Sequence, residues 1–220
     1  MSDADMISDL AGRAETGDVT AQLELAGVYA KGEGVAKDPA AATRWILKAA
    51  EQGDVQAQVI LADRYLKGEG VTKNGDEAVK WLSKAAEQGN GEAQMTLGGI
   101  LIAGKGVKRN STDAAKWFMM SAEQGNPAAQ CQIGRMHMMG AGVSLDDVEA
   151  YKWSDLAAAQ GNAPAKKILF VLKMRMTPER VVFGQQLARD FREMKAAEKT
   201  LDLPGDIPEV LPTELPAEPE

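Results

Sequence analysis

The sequence repeats itself every 36 residues, and this period restricts the possible folds more than any other feature. A fixed period of about 20–50 residues is typical of stacked supersecondary units, each of which buries its apolar face against its neighbours. The period therefore predicts an elongated array of repeats, which needs no single central core. The residues that recur at this spacing include Gly32, Gly68, Gly104 and Gly140; Trp45, Trp81, Trp117 and Trp153; and Gly53, Gly89, Gly125 and Gly161.

Two turn signals divide each unit into two helices. The first is a glycine followed by Asp or Asn, as in Gly53-Asp54. Glycine adopts the left-handed conformation that ends one helix, and Asp or Asn accepts hydrogen bonds from the unpaired N–H groups that begin the next. The second signal is Gly-x-Gly-Val, followed by an Asp or Asn at the start of another helix, as in Asp38 before Pro39. Each unit is therefore predicted to be helix, turn, helix, with second-helix caps at Asp38, Asn74, Asn110 and Asp146.

Apolar residues at helical spacing mark the faces that we expect to pack. In the first unit they include Leu25 and Tyr29 in the first helix and Trp45 in the second, and they recur with few changes in later units. The indole rings supply large buried surfaces beside small alanines. We therefore predict that the tryptophans are core residues, and that His137, which replaces Tyr29 in the fourth unit, is also a packing residue.

The repeated pattern A-x-x-x-L-[AG]-x-x-Y-x-x-G-x-G-V-x-x-[DN]-x-x-x-A-x-x-W-x-x-x-A-A-E-Q-G resembles the Sel-one-like repeat (SLR) family, a relative of the tetratricopeptide repeat. It covers Ala21 to Pro164 in four copies without insertion or deletion. The resemblance implies an all-α fold, a right-handed α/α superhelix (solenoid) of 36-residue helix-turn-helix repeats, whose first helices line a concave surface. It also implies an adaptor role in multiprotein complexes. The fourth copy departs from the pattern at His137 and Ala159, where we expect looser packing.

We divide the chain into a repeat region and flanking segments. The repeats are predicted at 21–56, 57–92, 93–128 and 129–164. Residues 1–20 are predicted to hold a capping helix, and residues 165–200 two C-terminal capping helices. The apolar stripe predicted for the second of these helices, which begins at Thr177-Pro178, consists of Phe183, Leu187, Phe191 and Met194.

Residues 201–220 are rich in proline and acidic residues and lack aromatic residues, so we predict a disordered tail. The tail places an aliphatic residue before proline every four residues. It is either a solvated linker or a segment that docks in the concave groove of its own or a neighbouring molecule. The four aliphatic residues are Leu203, Ile207, Leu211 and Leu215.

Two apolar rows along the first helices form the candidate binding site. They lie two and nine residues after the leading alanine of each unit, and a row of two glycines and two opposite charges runs between them. Apolar anchors with a few polar groups suit an extended or helical peptide. The same rows are also consistent with core between repeats, and accessibility of Val59, Met95 and Met138 decides between the two interpretations. The predicted groove residues are Leu23, Val59, Asp63, Leu66, Met95, Ile102, Cys131, Arg135 and Met138, with Gly27 and Gly99 opening the floor.

Charge and composition narrow the classes of partner. The net charge is −7, and the six acidic groups of the last twenty residues account for most of it, which leaves −1 for the first 200 residues. Nucleic-acid binding needs a basic excess, so we expect no nucleic-acid partner. The single cysteine excludes an intramolecular disulfide, and no stretch of about 20 apolar residues predicts a membrane span. We expect a cytoplasmic monomer whose partner is a protein or peptide.

The sequence offers little for catalysis. His137 and Cys131 are the only residues of their types, which argues against a zinc site and against a catalytic cysteine–histidine pair. We therefore predict no enzyme activity, no cofactor and no metal. The alternative is a small-molecule-binding or β-lactam-hydrolysing protein like the cysteine-rich SLR members, whose paired cysteines are absent here. A secreted factor would require an export signal, which residues 1–20 do not show.

Overall fold

The computed structural model describes residues 3–104 and 106–201, and the secondary structure of these residues consists of eleven α-helices. The predicted tail lies outside the described residues, apart from Leu201. The helices are α1 (Asp3–Glu15), α2 (Val19–Lys31), α3 (Pro39–Glu51), α4 (Val55–Lys67), α5 (Gly75–Glu87), α6 (Gly91–Ala103), α7 (Ser111–Glu123), α8 (Pro127–Met139), α9 (Asp147–Ala159), α10 (Ala163–Arg175) and α11 (Pro178–Leu201).

Helices α2 to α9 form four pairs that follow one another at the 36-residue period. Within each pair the first helix packs against the second, and the second packs against the first helix of the next pair. Helix α1 packs on α2 at one end, and α10 packs on α8 and α9 at the other. The predicted all-α solenoid of helix-turn-helix repeats is confirmed.

The predicted helix caps are present at the junctions of the repeats. At the first helices, Asp54 Oδ1 accepts a hydrogen bond from Ala57 N–H at 2.7 Å. At the second helices, Asp38 Oδ1 accepts one from Ala41 N–H at 2.8 Å, and Pro39 occupies the first helical position. These bonds satisfy N–H groups that have no partner inside their own helix.

The second glycine of two Gly-x-Gly-Val turns fixes how neighbouring repeats meet. Gly70 has a φ of +70°, and a Cβ atom there would lie 2.1 Å from the carbonyl oxygen of Pro39. Gly142 has a φ of +79°, and a Cβ atom there would lie 2.2 Å from the carbonyl oxygen of Ser111. These two turns therefore rest on the start of the second helix of the preceding repeat, where no larger side chain fits, whereas a Cβ atom at Gly106 would lie 3.8 Å from Gly75 Cα.

A ladder of glutamines runs along the repeats, and the sequence analysis missed it. The side chain of Gln94, which is 1% exposed, donates to the carbonyl of Ala86 in the preceding repeat at 3.0 Å. Its Oε1 accepts a hydrogen bond from Gln124 Nε2 at 2.8 Å. One side chain thus links two helices to its own, because it donates and accepts at once. The equivalent pairs are Gln22 with Gln52, Gln58 with Gln88 and Gln130 with Gln160.

The tryptophans divide into two groups. Trp81 and Trp153 are 4% and 2% exposed, as predicted for core residues. Trp45 and Trp117 are only half-buried, and the Lys48 ammonium lies 4.0 Å from the centre of the Trp45 ring. The core prediction is therefore confirmed for two indoles and only partly for the others.

Helix α11 differs from the prediction in the face that it packs. It lies against α9, where Phe191 and Trp153 make an edge-on ring contact at 5.2 Å. Gly184 and Ala188 are buried in this contact, and Gly184 allows α11 to approach the side chain of Tyr151 closely. The predicted stripe is wrong for Phe183 and Met194, which are 57% and 47% exposed. The contact face thus combines Phe191 with the small residues Gly184 and Ala188, which let the two helix backbones come together.

Candidate functional site

The apolar residues of the predicted groove are partly accessible. None of them is fully buried, whereas Asp63 and Arg135, in the row between them, are exposed. Val59, Met95 and Met138 therefore meet the accessibility condition for a groove. Their assignment as a binding site stays a prediction. The half-buried apolar residues are Leu23, Val59, Leu66, Met95, Ile102, Cys131 and Met138.

Three of the predicted residues line one pocket between α4, α5 and α6. Val59, Asp63 and Leu66 border a cavity of about 280 Å³. Leu82 of α5, which is 1% exposed, lies at this pocket, and Glu92 and Thr96 of α6 lie beside it. The pocket thus combines apolar walls with two carboxylates.

The sequence analysis missed the α6 wall of this pocket. Glu92 and Thr96 are four residues apart, which places them on one side of their helix. That spacing was visible in the sequence. The rotation between repeats, which turns this side toward α4, was not.

The other predicted residues lie at separate helix interfaces. Met95 and Ile102 pack against the core of α7, α8 and α9. Cys131 and Met138 pack against a cluster of α9 and α10 residues that includes Leu172. Leu23 packs against the core of the first repeats. These rows therefore serve partly as packing between repeats, as the alternative interpretation proposed, while each side chain keeps an accessible portion.

The glycine positions between the rows are open. A Cβ atom added at Gly27 or Gly99 would meet no atom within 4 Å. By contrast, at Gly98, on the other side of α6, it would lie 2.7 Å from the ring of Phe118. A side chain at Gly99 would therefore meet no obstruction, and the role of this position as the floor of a groove stays a prediction.

The charged side chains between the two apolar rows of the predicted groove form hydrogen bonds or ion pairs with residues of their own helices. Asp63 pairs with Lys67 at 2.7 Å, and this hydrogen bond raises the pKa of the Lys67 ammonium. Arg135 Nη2 donates to Gln132 Oε1 at 2.5 Å. Both Asp63 and Arg135 are exposed, so they remain able to meet a partner.

The single thiol and the single imidazole do not form a catalytic arrangement with each other in the described contacts. Burial raises the pKa of the Cys131 thiol, which the charge of Arg135 only partly offsets. Such a thiol is a weak nucleophile near neutral pH because the thiolate is the reactive form. His137 is half-buried, and its Nδ1 lies 3.1 Å from the Ser144 carbonyl, so it holds the adjacent turn.

Among residues 3–104 and 106–201, no group of three or more His, Cys, Asp or Glu side chains is placed to hold a metal ion. No helix in these ranges combines the length and apolar character that crossing a bilayer demands.

A larger pocket, with a volume of about 520 Å³, lies elsewhere in the described structure. It lies between the α7–α8 turn, the end of α9, and α11, and the sequence analysis did not predict it. Its walls depend on where α11 packs, which the residue spacing of α11 alone does not show. The lining includes Glu123, Gln124, Leu156, Phe191, Arg192 and Lys195.

Comparison with known proteins agrees with the repeat architecture. A Sel1 repeat protein from Oxalobacter formigenes is similar to this chain at 34% identity and a TM-score of 0.67, and the match covers 82% of this chain and 78% of that protein. A protective antigen of uropathogenic Escherichia coli strains with an SLR fold is similar at 31% identity and a TM-score of 0.69. That match covers 97% of this chain but only 45% of the antigen, so this chain spans less than half of the antigen's length. The search of curated proteins found no match.

The family model for the Sel1 repeat matches the chain four times, at residues 19–54, 55–90, 91–126 and 127–162. Each match begins two residues before the leading alanine, at the first residue of α2, α4, α6 or α8. Together the matches cover more than half of the sequence without a gap. The chain belongs to the Sel1 repeat family.

Proposed function

We propose that this protein is an interaction scaffold that binds a peptide or protein segment along the first helices of its repeats. Sel1 repeat proteins generally mediate protein–protein interactions. The observation that carries the proposal is the pocket between α4, α5 and α6, in which partly accessible Val59 and Leu66 stand beside the exposed Asp63. A partner gains affinity by burying apolar side chains there.

The pocket also defines the chemistry of the segment that it fits. At about 280 Å³ it accepts one large aliphatic or aromatic side chain, rather than a whole folded surface. Glu92 and Asp63 stand beside the pocket. Since opposite charges give specificity at an interface, they favour a Lys or Arg next to the apolar anchor.

The proposed location is the cytoplasm, with the protein as a monomer. Cys131 is a free cysteine in the described structure. Free thiols persist in reducing compartments, which supports this location.

The test selects a ligand first and then removes the pocket. Random peptides displayed on phage are selected on the immobilised full-length protein, and the affinity of the best peptide is measured by fluorescence anisotropy. Val59→Glu places a charge in the apolar pocket, so we expect at least about a tenfold weaker Kd, which corresponds to about 1.4 kcal/mol. The matched control is Met120→Glu on the second helix α7, where Met120 is 43% exposed and lies outside the pocket.

Unfolding curves of both variants establish that they remain folded. If folded Val59→Glu binds the peptide as tightly as the wild-type protein, the groove is not the binding surface. A loss of affinity in Met120→Glu alone would place the site on the second helices.

A second candidate function is small-molecule binding at the pocket beside α11. Its volume of about 520 Å³ lies in the range of ligand sites, and Arg192 and Lys195 beside Phe191 suit an anion with an apolar portion. For β-lactam hydrolysis the support is weaker, because the raised pKa of Cys131 disfavours its use as a nucleophile. A chromogenic β-lactam tests this directly. Turnover in proportion to protein concentration, lost in Cys131→Ser, would contradict the scaffold proposal.

A further inference from the structure

Helix α10 stands where the first helix of a fifth repeat would stand. Unlike the first helices of the four repeats, it lacks a second helix that covers it. In the fourth repeat, Gly134 of α8 approaches its own second helix so closely that a Cβ atom would lie 2.6 Å from Ser154 Oγ. Phe170 stands 36 residues later, at the same position of α10. Helix α11 does not take the place of a second helix, because it packs on α9. Phe170 is consequently 68% exposed.

The uncovered face of α10 is both apolar and basic. Lys166 and Lys173 flank Phe170 along the helix, at the register positions of the buried Gln130 and of His137 in the fourth repeat. Neither lysine forms an ion pair with a described residue. Segment 163–178 has four basic residues and no acidic residue. Val171 (46%) and Met174 (75%) of α10 are also exposed, as are Val182 (57%) and Phe183 (57%) in the first turns of α11.

Residues 202–220 of the same chain have the complementary composition. They contain six acidic groups and no basic group, and they place an aliphatic residue before proline every four residues. Acidic groups suit Lys166 and Lys173, and aliphatic side chains suit the ring of Phe170. We infer that this segment docks on the uncovered face of α10, defined here as Lys166, Phe170, Lys173 and Met174. This inference does not depend on the proposed groove.

The segment begins close enough to α10 to reach this face. Arg192 of α11 donates to Asp155 Oδ2 of α9, and Lys195 borders a pocket with Ala159 and Gln160, at the turn that leads into α10. Helix α11 therefore carries the chain back toward the start of α10. The nineteen residues after Leu201 span at most about 63 Å at about 3.3 Å per residue, which is enough for the aliphatic residues of the segment to lie along α10.

Because residues 202–220 are covalently attached to the helices, even a weak contact between this segment and α10 is populated. Short flexible linkers give effective concentrations in the millimolar range, so a contact with an intrinsic Kd of about 1 mM is roughly half occupied. The charge component of the contact is screened by salt, since the Debye length falls from about 10 Å at 0.1 M to about 3 Å at 1 M ionic strength.

The test uses the full chain with one spin label. In a Cys131→Ser background, Thr213→Cys carries a nitroxide between Leu211 and Leu215, and the broadening of backbone amide signals is measured by NMR. We expect the amides of α10 to lose intensity relative to the reduced label. The amides of α4 should remain unchanged. High salt and the double variant Lys166→Glu/Lys173→Glu should each reduce the broadening of α10.

Matched variants separate docking from mere proximity. Replacing all four aliphatic residues, as Leu203→Ser/Ile207→Ser/Leu211→Ser/Leu215→Ser, should abolish the broadening if these side chains make the contact, whereas broadening from the tether alone would remain. On the surface, Phe170→Ser should abolish it, and Leu145→Ser, at a position that is 66% exposed on another part of the chain, should not.

Several outcomes would overturn the inference. Unchanged α10 amides would show that the segment does not dock there, and broadening of α4 amides would place it in the groove. Broadening in a mixture of labelled and separately isotope-enriched chains would show docking on a second copy. If α10 signals broaden only when vesicles of equal parts phosphatidylserine and phosphatidylcholine are added, the face binds a membrane instead. None of these results alters the peptide-affinity test of the groove.

Discussion

Helices α8 and α10 have the same length and the same Asn cap, but they differ in what covers them. Both contain thirteen residues, and Asn126 and Asn162 accept hydrogen bonds from the first-turn N–H groups in the same way. Helix α9 covers α8, where Ile133 and Gly134 are fully buried. No described helix covers the equivalent face of α10. Local sequence signals thus form both helices, whereas burial depends on the presence of the next helix in the array.

The difference shows what a repeat contributes beyond its own helices. A first helix is completed by two neighbours, its own second helix and the second helix before it. Repeat arrays gain stability from such nearest-neighbour contacts, so an incomplete last unit leaves apolar surface unpaired. Four experiments can break or sharpen this comparison.

The largest expected difference is between two aromatic residues. Trp81→Ala removes a side chain that is 4% exposed within the repeats, and we expect a loss of about 3–5 kcal/mol in the free energy of unfolding. Phe170→Ala on α10 removes a side chain that is 68% exposed, and we expect less than about 1 kcal/mol. Urea denaturation followed by circular dichroism measures both. A cost below about 1 kcal/mol for Trp81→Ala would show that its indole is not core.

The glutamine ladder should give the next largest difference. Gln94→Leu removes the hydrogen bond to the Ala86 carbonyl, which keeps the Gly89 N–H as a donor, and the hydrogen bond from Gln124. Each bond contributes about 0.5–1.5 kcal/mol, so we expect a loss of about 1–3 kcal/mol in unfolding free energy. Lys166 occupies the same register position on α10 but is exposed, so Lys166→Leu should leave the unfolding midpoint nearly unchanged. Equal midpoints for the two variants would mean that the ladder does not stabilise the repeats.

A smaller difference is expected between two adjacent glycines of α6. Gly98→Ala should destabilise the protein because the added Cβ would lie 2.7 Å from the Phe118 ring. Gly99→Ala faces open space, so we expect a gain of about 0.5–1 kcal/mol from improved helix propensity. Thermal unfolding of the two variants measures both effects. Destabilisation by Gly99→Ala would indicate that the floor of the groove is obstructed.

The smallest effect concerns the reactivity of Cys131. Because burial raises its pKa, alkylation by iodoacetamide at pH 7 should be slower than for the unfolded chain and should increase as the pH rises. Arg135 lowers this pKa, so Arg135→Ala should slow the reaction further. The raised pKa also determines how stability changes with pH. The unfolded chain loses the thiol proton first, so stability falls as the pH rises from the ordinary pKa toward the folded one. Faster alkylation of the folded protein would contradict the assigned burial.

Much of the fold was predictable because its signals are local. Gly53-Asp54 and Asp38-Pro39 mark helix ends through backbone conformation and capping, and both effects depend only on neighbouring residues in the sequence. The 36-residue period then places each helix pair in the array. The glutamine ladder was also visible in the spacing of Gln22 and its copies, but its role requires knowing which carbonyl the side chain meets.

The remainder was not predictable because it depends on how helices rotate against each other. Residue spacing shows that Met95 and Met138 share one side of their helices, but not how much of that side the neighbouring repeat covers. The position of α11 is a stronger example. Its large residues suggested one contact face, while close packing through Gly184 and Ala188 selected another. The pocket beside Phe191 forms because α11 packs against α9 through this face.

Native-state hydrogen exchange of backbone amides in α8 and α10 tests the central claim most directly. Both helices have equal length and an Asn N-cap, so amides in their central turns, away from the different C-caps at Gly140 and Met176, report the effect of a covering second helix. We expect α10 amides to exchange at least about tenfold faster than α8 amides, which corresponds to an opening free energy about 1.4 kcal/mol lower. Equal or slower exchange in α10 would contradict the claim that its second-helix face is uncovered.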